Sequence, residues 1–170
     1  MKWLVPLMAL TTAALLSGCA TGNPLVLDPV GPPPTPPGAA GSTSTTGTLV
    51  VYSAARRSAD FNARDPRITE YSDYRIFAAD GMLLQRVHNN SGTRLQDAAA
   101  VALPPGKYKV RARANGHGLV TVPVLIIAGQ TTALHLEGGD PWPDKSVFNQ
   151  TNSVRLPDGQ IVGWKAAANL

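Results

Sequence analysis

Short runs in which apolar and polar residues alternate make up most of the chain after Thr48. The run KYKVRARAN is the most regular, because cations and apolar residues take strictly alternate positions in it. One face would carry Tyr108, Val110, Ala112 and Ala114, and the other face Lys107, Lys109, Arg111 and Arg113. A period of two residues predicts a half-buried β-strand, since successive side chains point to opposite faces of a sheet.

The same patterning predicts about seven strands, separated by turn residues at intervals of roughly 8–12 residues, and no long helix. The strands follow the runs TLVVYSA, DYRIFAA, MLLQRVH, AAAVALP, KYKVRARAN, LVTVPVLIIA and TTALHLEG. The polar, aperiodic stretch from Ala55 to Glu70 is expected to be a long loop. The predicted fold is therefore all-β, a small antiparallel β-sandwich over residues 48–137.

A hairpin is predicted around Asp80 and Gly81, where glycine accepts the positive φ of a two-residue turn. The register that follows pairs Tyr74 with Val87, Ile76 with Gln85 and Ala78 with Leu83, and it places Arg75 opposite Arg86. Two like charges in directly opposite positions are mildly unfavourable, so solvent or a neighbouring acid must relieve them.

The N-terminus combines Lys2 with an apolar run of 14 residues, Trp3 to Leu16, which suits a signal peptide and is too short to span a bilayer. The sequence Leu16-Ser17-Gly18-Cys19 follows and resembles the lipobox of bacterial lipoproteins. The resemblance implies that residues 1–18 are removed by cleavage between Gly18 and Cys19, and that Cys19 carries diacylglycerol and acyl chains. A secretory signal that happens to contain cysteine is the alternative. Lipoproteins of the inner membrane often carry Asp after the cysteine, so Ala20 implies the outer membrane, facing the periplasm or the surface.

Residues 19–47 are expected to form a tether between the lipidated cysteine and the sandwich. Seven prolines fall between positions 24 and 37, and a stretch rich in Gly, Ser and Thr follows them. Proline-rich chain favours an extended, solvated conformation, so we expect a disordered spacer that reaches at most roughly 80–90 Å. The stretch Pro33 to Pro36 also matches a PxxP ligand motif, which is an alternative to the spacer role.

The second half of the predicted sandwich resembles bacterial PEGA-type and carboxypeptidase-regulatory-like domains, which are transthyretin-like (prealbumin-like) sandwiches. The matching residues are Leu103, Pro105, Gly106, Tyr108, Gly116, Gly129, Leu134 and Leu136. His117 departs from the pattern, because an aromatic residue is commoner there. The resemblance implies a spacer or binding module. Residues 138–170 are expected to form a C-terminal extension with a hairpin around Pro157-Asp158-Gly159 that covers a sheet edge. The alternative is that this hairpin docks separately, with Trp164 as an apolar anchor.

Composition and motifs argue against catalysis. The net charge of +4 is a small basic excess, and the single cysteine cannot form an internal disulfide. The three histidines, His88, His117 and His135, have no partner at metal-ligand spacing, and no nucleophile or phosphate-loop motif occurs. We therefore expect no enzymatic activity, no metal site and no cofactor besides the covalent lipid on Cys19.

Two sets of residues are candidates for binding. Lys107, Lys109, Arg111 and Arg113 would form a row of cations for an anionic polymer, or else a solvated outer face. Trp142 and Trp164 would stack on a carbohydrate if exposed, or would belong to the core if buried. The sequence thus predicts a membrane-anchored envelope lipoprotein whose sandwich is an interaction or structural module. The alternative is a carbohydrate- or peptidoglycan-binding module. Expected partners are the membrane, through the lipid, and an envelope protein or cell-wall polysaccharide, but not nucleic acid.

Overall fold

The structure, a computed structural model, describes residues 24–34, 44–58, 68–90, 97–138 and 149–165. The regular elements in these ranges are all β-strands. In chain order they are β1 Gly47–Tyr52, β2 Ala55–Ser58, β3 Ile68–Tyr71, β4 Tyr74–Ala78, β5 Leu83–Val87, β6 Ala100–Leu103, β7 Gly106–Ala114, β8 Gly118–Ile126, β9 Thr131–His135, β10 Ser153–Arg155 and β11 Ile161–Lys165.

Two sheets form the body of the molecule. One sheet has five strands in the order β10-β11-β9-β1-β6, and the other has four in the order β5-β4-β7-β8. Leu49, Leu134 and Val51 of the first sheet and Ile76 and Val110 of the second are fully buried in one shared apolar core. The predicted all-β sandwich is confirmed. One pair departs from the antiparallel pattern, because β1 runs parallel to β9.

The alternation in β7 has the predicted effect. Val110 and Ala112 are fully buried, whereas Lys107 and Arg113 on the opposite face are exposed. This strand lies between β4 and β8, so its apolar side packs into the core while its cationic side faces outward.

The hairpin of β4 and β5 follows the predicted register at its base only. Tyr74 pairs with Val87, Arg75 with Arg86, and Ile76 with Gln85. The register then shifts, so that Leu83 pairs with Phe77 rather than with Ala78. The shift accommodates a longer turn, in which the amide of Ala78 donates to the carbonyl oxygen of Met82 at 2.8 Å.

A short two-stranded sheet occupies both ends of the region expected to be a loop. β2 and β3 pair antiparallel from Ala55 opposite Tyr71 to Ser58 opposite Ile68. Their sequences, ARRS and ITEY, lack apolar alternation. Backbone hydrogen bonds form this pair, so the hydrophobic pattern held no signal for it.

The C-terminal strands β10 and β11 form a hairpin around Gly159, whose φ of 85° suits glycine. β11 pairs with β9, so the hairpin extends the five-stranded sheet. Val154, Leu156 and Val162 are buried in the same core as the rest of the sandwich. The hairpin therefore covers the edge of β9 and is packed as part of the sandwich.

The prediction of a disordered tether over residues 19–47 is wrong for residues 24–34, here called the N-terminal segment. Four backbone hydrogen bonds of 2.8–2.9 Å join it to the free edge of β8, and its Val26 and Val30 are buried in the core, 2% and 1% exposed. The extended conformation that proline favours is also that of an edge strand, and an unpaired edge needs covering. Residues 19–23 and 35–43 lie outside the described residues.

The N-terminal segment also reaches the other sheet. The amide of Leu27 donates to the carbonyl oxygen of Arg155 in β10 at 3.1 Å. β8 and β10 are the edge strands of their respective sheets. The segment therefore closes the open side of the sandwich between them.

Candidate functional site

Six cations lie on the outer face of the four-stranded sheet. The four predicted from β7 are joined by two arginines of the hairpin, because Arg75 lies opposite both Arg86 in β5 and Arg111 in β7. Directly opposed residues share a face of the sheet. The set is here called the basic face and consists of Arg75, Arg86, Lys107, Lys109, Arg111 and Arg113.

Among the described residues, no acidic side chain forms an ion pair with a cation of the basic face. Four of the six residues are exposed, and Lys109 and Arg111 are half-buried. The two ion pairs found among the described residues are His88 with Asp73 and His135 with Glu137, and neither involves a lysine or an arginine. The face therefore presents six cations that are open to an anion from outside the chain.

A cleft of about 450 Å³ opens on this face among Arg75, Arg86, Arg111 and Arg113. The one carboxylate on its lining, that of Asp73, lies 3.0 Å from Nδ1 of His88 and accepts a hydrogen bond from the amide of Asn89. Four arginines thus line one cleft, and arginine is the residue that binds phosphate and carboxylate groups bidentately.

Arg111 is held in place by an aromatic ring. Its Cζ lies 5.1 Å from the centroid of Phe77, which is a cation–π distance. The Nε–H of Arg111 is buried and has no hydrogen-bond partner in the described part of the chain. The ring of Phe77 therefore orients the guanidinium group of Arg111. The positive charge of this group has no anionic partner among the described residues.

Apolar side chains border the cations. Leu25 of the N-terminal segment is 51% exposed and lines a second depression, of about 260 Å³, together with Phe77, Lys109 and Arg111. Leu119, 39% exposed, lies opposite Arg113. The six cations of the basic face are thus bordered by exposed aliphatic groups.

The aromatic candidates are placed differently. Trp164 is buried, 6% exposed, and stacks on His135 with ring centroids 4.7 Å apart. His135 stacks in turn on Tyr52 at 4.3 Å, so three neighbouring strands of the five-stranded sheet each contribute one ring. Trp164 therefore packs its ring within the protein. Trp142 lies outside the described residues.

Acidic and phenolic groups border this stack. Oε1 of Glu137 lies 2.8 Å from Nδ1 of His135, and Tyr71 meets Tyr52 edge-on at 5.7 Å. Burial raises the pKa of Tyr71, and the carboxylate of Glu137 raises it further. Glu137 and Tyr71 thus both contact members of the stack, which forms a packed layer on the outer side of the sheet.

Comparisons with protein-family models, with curated protein sequences and with solved structures found no match. The resemblances to lipoprotein signals and to regulatory-like domains therefore stay predictions. Cys19 and Gly18 lie outside the described residues. Within those residues no helix has the length and hydropathy to cross a bilayer, and no three metal-binding side chains cluster.

Sequence reasoning found four of the six cations and missed Arg75 and Arg86 as members of the same surface. The predicted hairpin already placed these two arginines opposite each other. The missing information was that β4 lies beside β7, which depends on strand order. The like-charge pair of Arg75 and Arg86, which nothing in the predicted hairpin explained, was the signal in the sequence that these arginines belong to a binding surface.

Proposed function

We propose that this protein is a non-catalytic, lipid-anchored module of the bacterial cell envelope that binds an anionic partner through the basic face. The supporting observation is the row Arg86–Arg75–Arg111, which crosses three neighbouring strands without an acid between them. Adjacent strands lie about 4.8 Å apart, so these charges repel one another. A bound anion relieves that repulsion and supplies the missing partner.

The envelope location rests on the N-terminal sequence. The lipobox-like residues Leu16 to Cys19 follow an apolar run of signal-peptide length. Two or three acyl chains hold a protein on a bilayer stably, whereas one chain does so only weakly. A binding module with such an anchor acts at the membrane or within reach of it.

Sugar binding through tryptophan is the alternative, and the geometry gives it less support. The ring of Trp164 is 6% exposed and already stacked on His135, so it offers little surface to a ligand. Binding of a wall polysaccharide would therefore depend on contacts between its acidic groups and the basic face. Negative charge is thus the property that we propose for the partner.

Retention on a heparin resin, used as a general polyanion probe, tests the binding face. The chain from Ala20 to Leu170 contains every described residue, and cooperative thermal unfolding of each variant is checked first. We expect the double variant Arg75→Gln/Arg86→Gln to elute at clearly lower salt than the parent chain. The matched control is Ala100→Glu/Ala102→Glu, which lowers the net charge equally at two exposed positions of β6. Equal elution of the two double variants would overturn the proposed binding face.

The anchor is tested separately in cells. We expect Cys19→Ala to abolish incorporation of labelled fatty acid and to move the protein out of the carbonate-washed membrane fraction. Absence of labelled fatty acid from the parent chain, or equal incorporation in the parent and in Cys19→Ala, would refute the lipoprotein part of the proposal.

A further inference from the structure

We infer that the anionic partner of the basic face is the phospholipid surface of the membrane that carries the anchor, so that the sandwich lies with this face against the headgroups. The inference rests on the proposed function, because it names the partner of the same surface. It is carried by the position of the N-terminal segment relative to the cations.

The stretch of chain between the predicted anchor and the sandwich is short. Pro24 is five residues after Cys19, and its carbonyl oxygen accepts a hydrogen bond of 2.9 Å from the amide of Thr121. Five fully extended residues span at most about 18 Å. The sandwich is therefore held close to the bilayer, in contrast to the long tether that the proline content predicts.

The point of attachment lies beside the basic face. Thr121 of β8 pairs with Arg111 of β7, and the N-terminal segment runs along the other edge of β8. Two strand spacings, about 10 Å, thus separate the backbone of Pro24 from that of Arg111. An anchor entering at this edge places the cations within reach of lipid phosphates.

The composition of the face suits a bilayer surface better than a soluble polymer. Its six cations are bordered by the exposed aliphatic side chains Leu25, Leu83 and Leu119, which are between 39% and 51% exposed. Surface-bound proteins combine cations, which attract anionic headgroups, with apolar groups that enter the interface. A hydrated polysaccharide would gain nothing from the leucines.

On the opposite side of the sandwich, the described strands of the five-stranded sheet carry two cations, Arg155 and Lys165, against the six of the basic face. Exposed positions there include Ala100 and Ala102 of β6 and Thr131 of β9. The two outer faces are more than a sheet spacing of about 10 Å apart, and the screening length at physiological salt is about 8 Å. Charges on the two sides therefore act independently on a flat anionic surface.

Co-sedimentation with lipid vesicles tests the inference, using the chain from Ala20 to Leu170 without its lipid. We expect binding to vesicles that contain phosphatidylglycerol and not to vesicles of phosphatidylcholine alone. Each cation removed should weaken binding about fivefold, so Arg75→Gln/Arg86→Gln should bind about 25-fold more weakly. The control Ala100→Glu/Ala102→Glu should bind nearly as well as the parent.

The variant Leu25→Ser distinguishes binding to a membrane from binding to a soluble anionic polymer. The side chain is half exposed, so we expect this change to leave the fold intact, to weaken vesicle binding and to leave heparin elution unchanged. Heparin or cell-wall sacculus binding without binding to phosphatidylglycerol vesicles would overturn the membrane inference and leave the proposed function standing. Failure to bind heparin, sacculi and vesicles would overturn both.

Discussion

The amide of Thr121 donates a hydrogen bond of 2.9 Å to the carbonyl oxygen of Pro24, and the amide of Val26 returns one of 2.9 Å to the carbonyl oxygen of Thr121. This reciprocal pair joins the proline-rich N-terminal segment to the edge of β8. The segment is thus part of the sandwich, and four residues, 20–23, separate it from the predicted lipidation site at Cys19. The orientation inferred for the basic face follows from this pairing.

Val26 tests whether the N-terminal segment stabilises the fold. Its side chain is 2% exposed within the core, whereas Leu27 beside it is 60% exposed. We expect Val26→Ala to lower the free energy of unfolding by about 2 kcal/mol, through lost burial and a residual cavity. Leu27→Ala should change it by less than about 0.5 kcal/mol. Urea titration compares them, and equal midpoints would mean that the segment is an unpacked spacer.

Asn89 gives a second test of stability, because its buried side chain makes three hydrogen bonds to other parts of the chain. Its Nδ2 donates to the carbonyl oxygen of Val51 and to Oγ of Ser53, both at 2.8 Å, and its Oδ1 accepts from the amide of Ala99. Asn89→Ala would leave buried groups without partners, so we expect a loss of about 3 kcal/mol in the free energy of unfolding. The half-buried Asn90→Ala serves as the control and should cost about 1 kcal/mol. Losses of the same size in both variants would contradict the role of Asn89.

Tyr74 gives a test that depends on pH. Its ring is buried, its hydroxyl has no hydrogen-bond partner in the described part of the chain, and burial raises its pKa above the ordinary value of 10.0. The folded state thus keeps a proton that the unfolded chain releases. Its contribution to stability is complete below pH 10 and declines as the pH rises above that value.

Replacing Tyr74 by phenylalanine should therefore have two effects. At neutral pH the free energy of unfolding should rise by about 1 kcal/mol, because an unpaired buried hydroxyl is removed. Above pH 10 the loss of stability should be shallower than in the parent chain. Chemical denaturation at a series of pH values measures both. A destabilised variant would show that the hydroxyl is paired, and an unchanged alkaline decline would show that the pKa of Tyr74 is not raised.

Gly163 tests the join between the C-terminal hairpin and the rest of the sheet. A Cβ at this position would overlap the carbonyl oxygen of His135 and lie 3.0 Å from Cδ2 of Leu136. We expect Gly163→Ala to lower the free energy of unfolding by about 3 kcal/mol, because backbone must move. Gly31→Ala, whose Cβ would meet Leu125 at an ordinary 3.7 Å, should have little effect. Equal melting temperatures would place β11 elsewhere than beside β9.

The fold was largely predictable for strands that bury one face in the core and expose the other face to solvent. β7 alternates cations with apolar residues because one face meets the core and the other meets solvent, so its faces could be read directly. β2 and β3 were not predictable, because their sequences show no apolar alternation. The N-terminal segment was misread because its two buried valines stand among prolines that suggest a linker.

The candidate site was predictable in part for a related reason. Four of its cations lie on one strand, where alternation alone places them together. Arg75 and Leu25 join them through strand order and through an edge pairing with β8, and neither depends on local sequence. Local sequence could not show that Trp164 is buried, because its stacking on His135 requires the pairing of β11 with β9.

Thiol labelling of the lipidated protein, reconstituted into vesicles that contain phosphatidylglycerol, measures which face of the sandwich lies against the membrane. Cys19 is the one cysteine of the chain, so once it is acylated Lys107→Cys or Ala102→Cys adds a single reactive thiol at an exposed position. We expect a charged maleimide to label Lys107→Cys much more slowly in vesicles than in detergent, and to label Ala102→Cys equally fast in both. Equal rates for Lys107→Cys in vesicles and in detergent would refute the inferred orientation of the basic face.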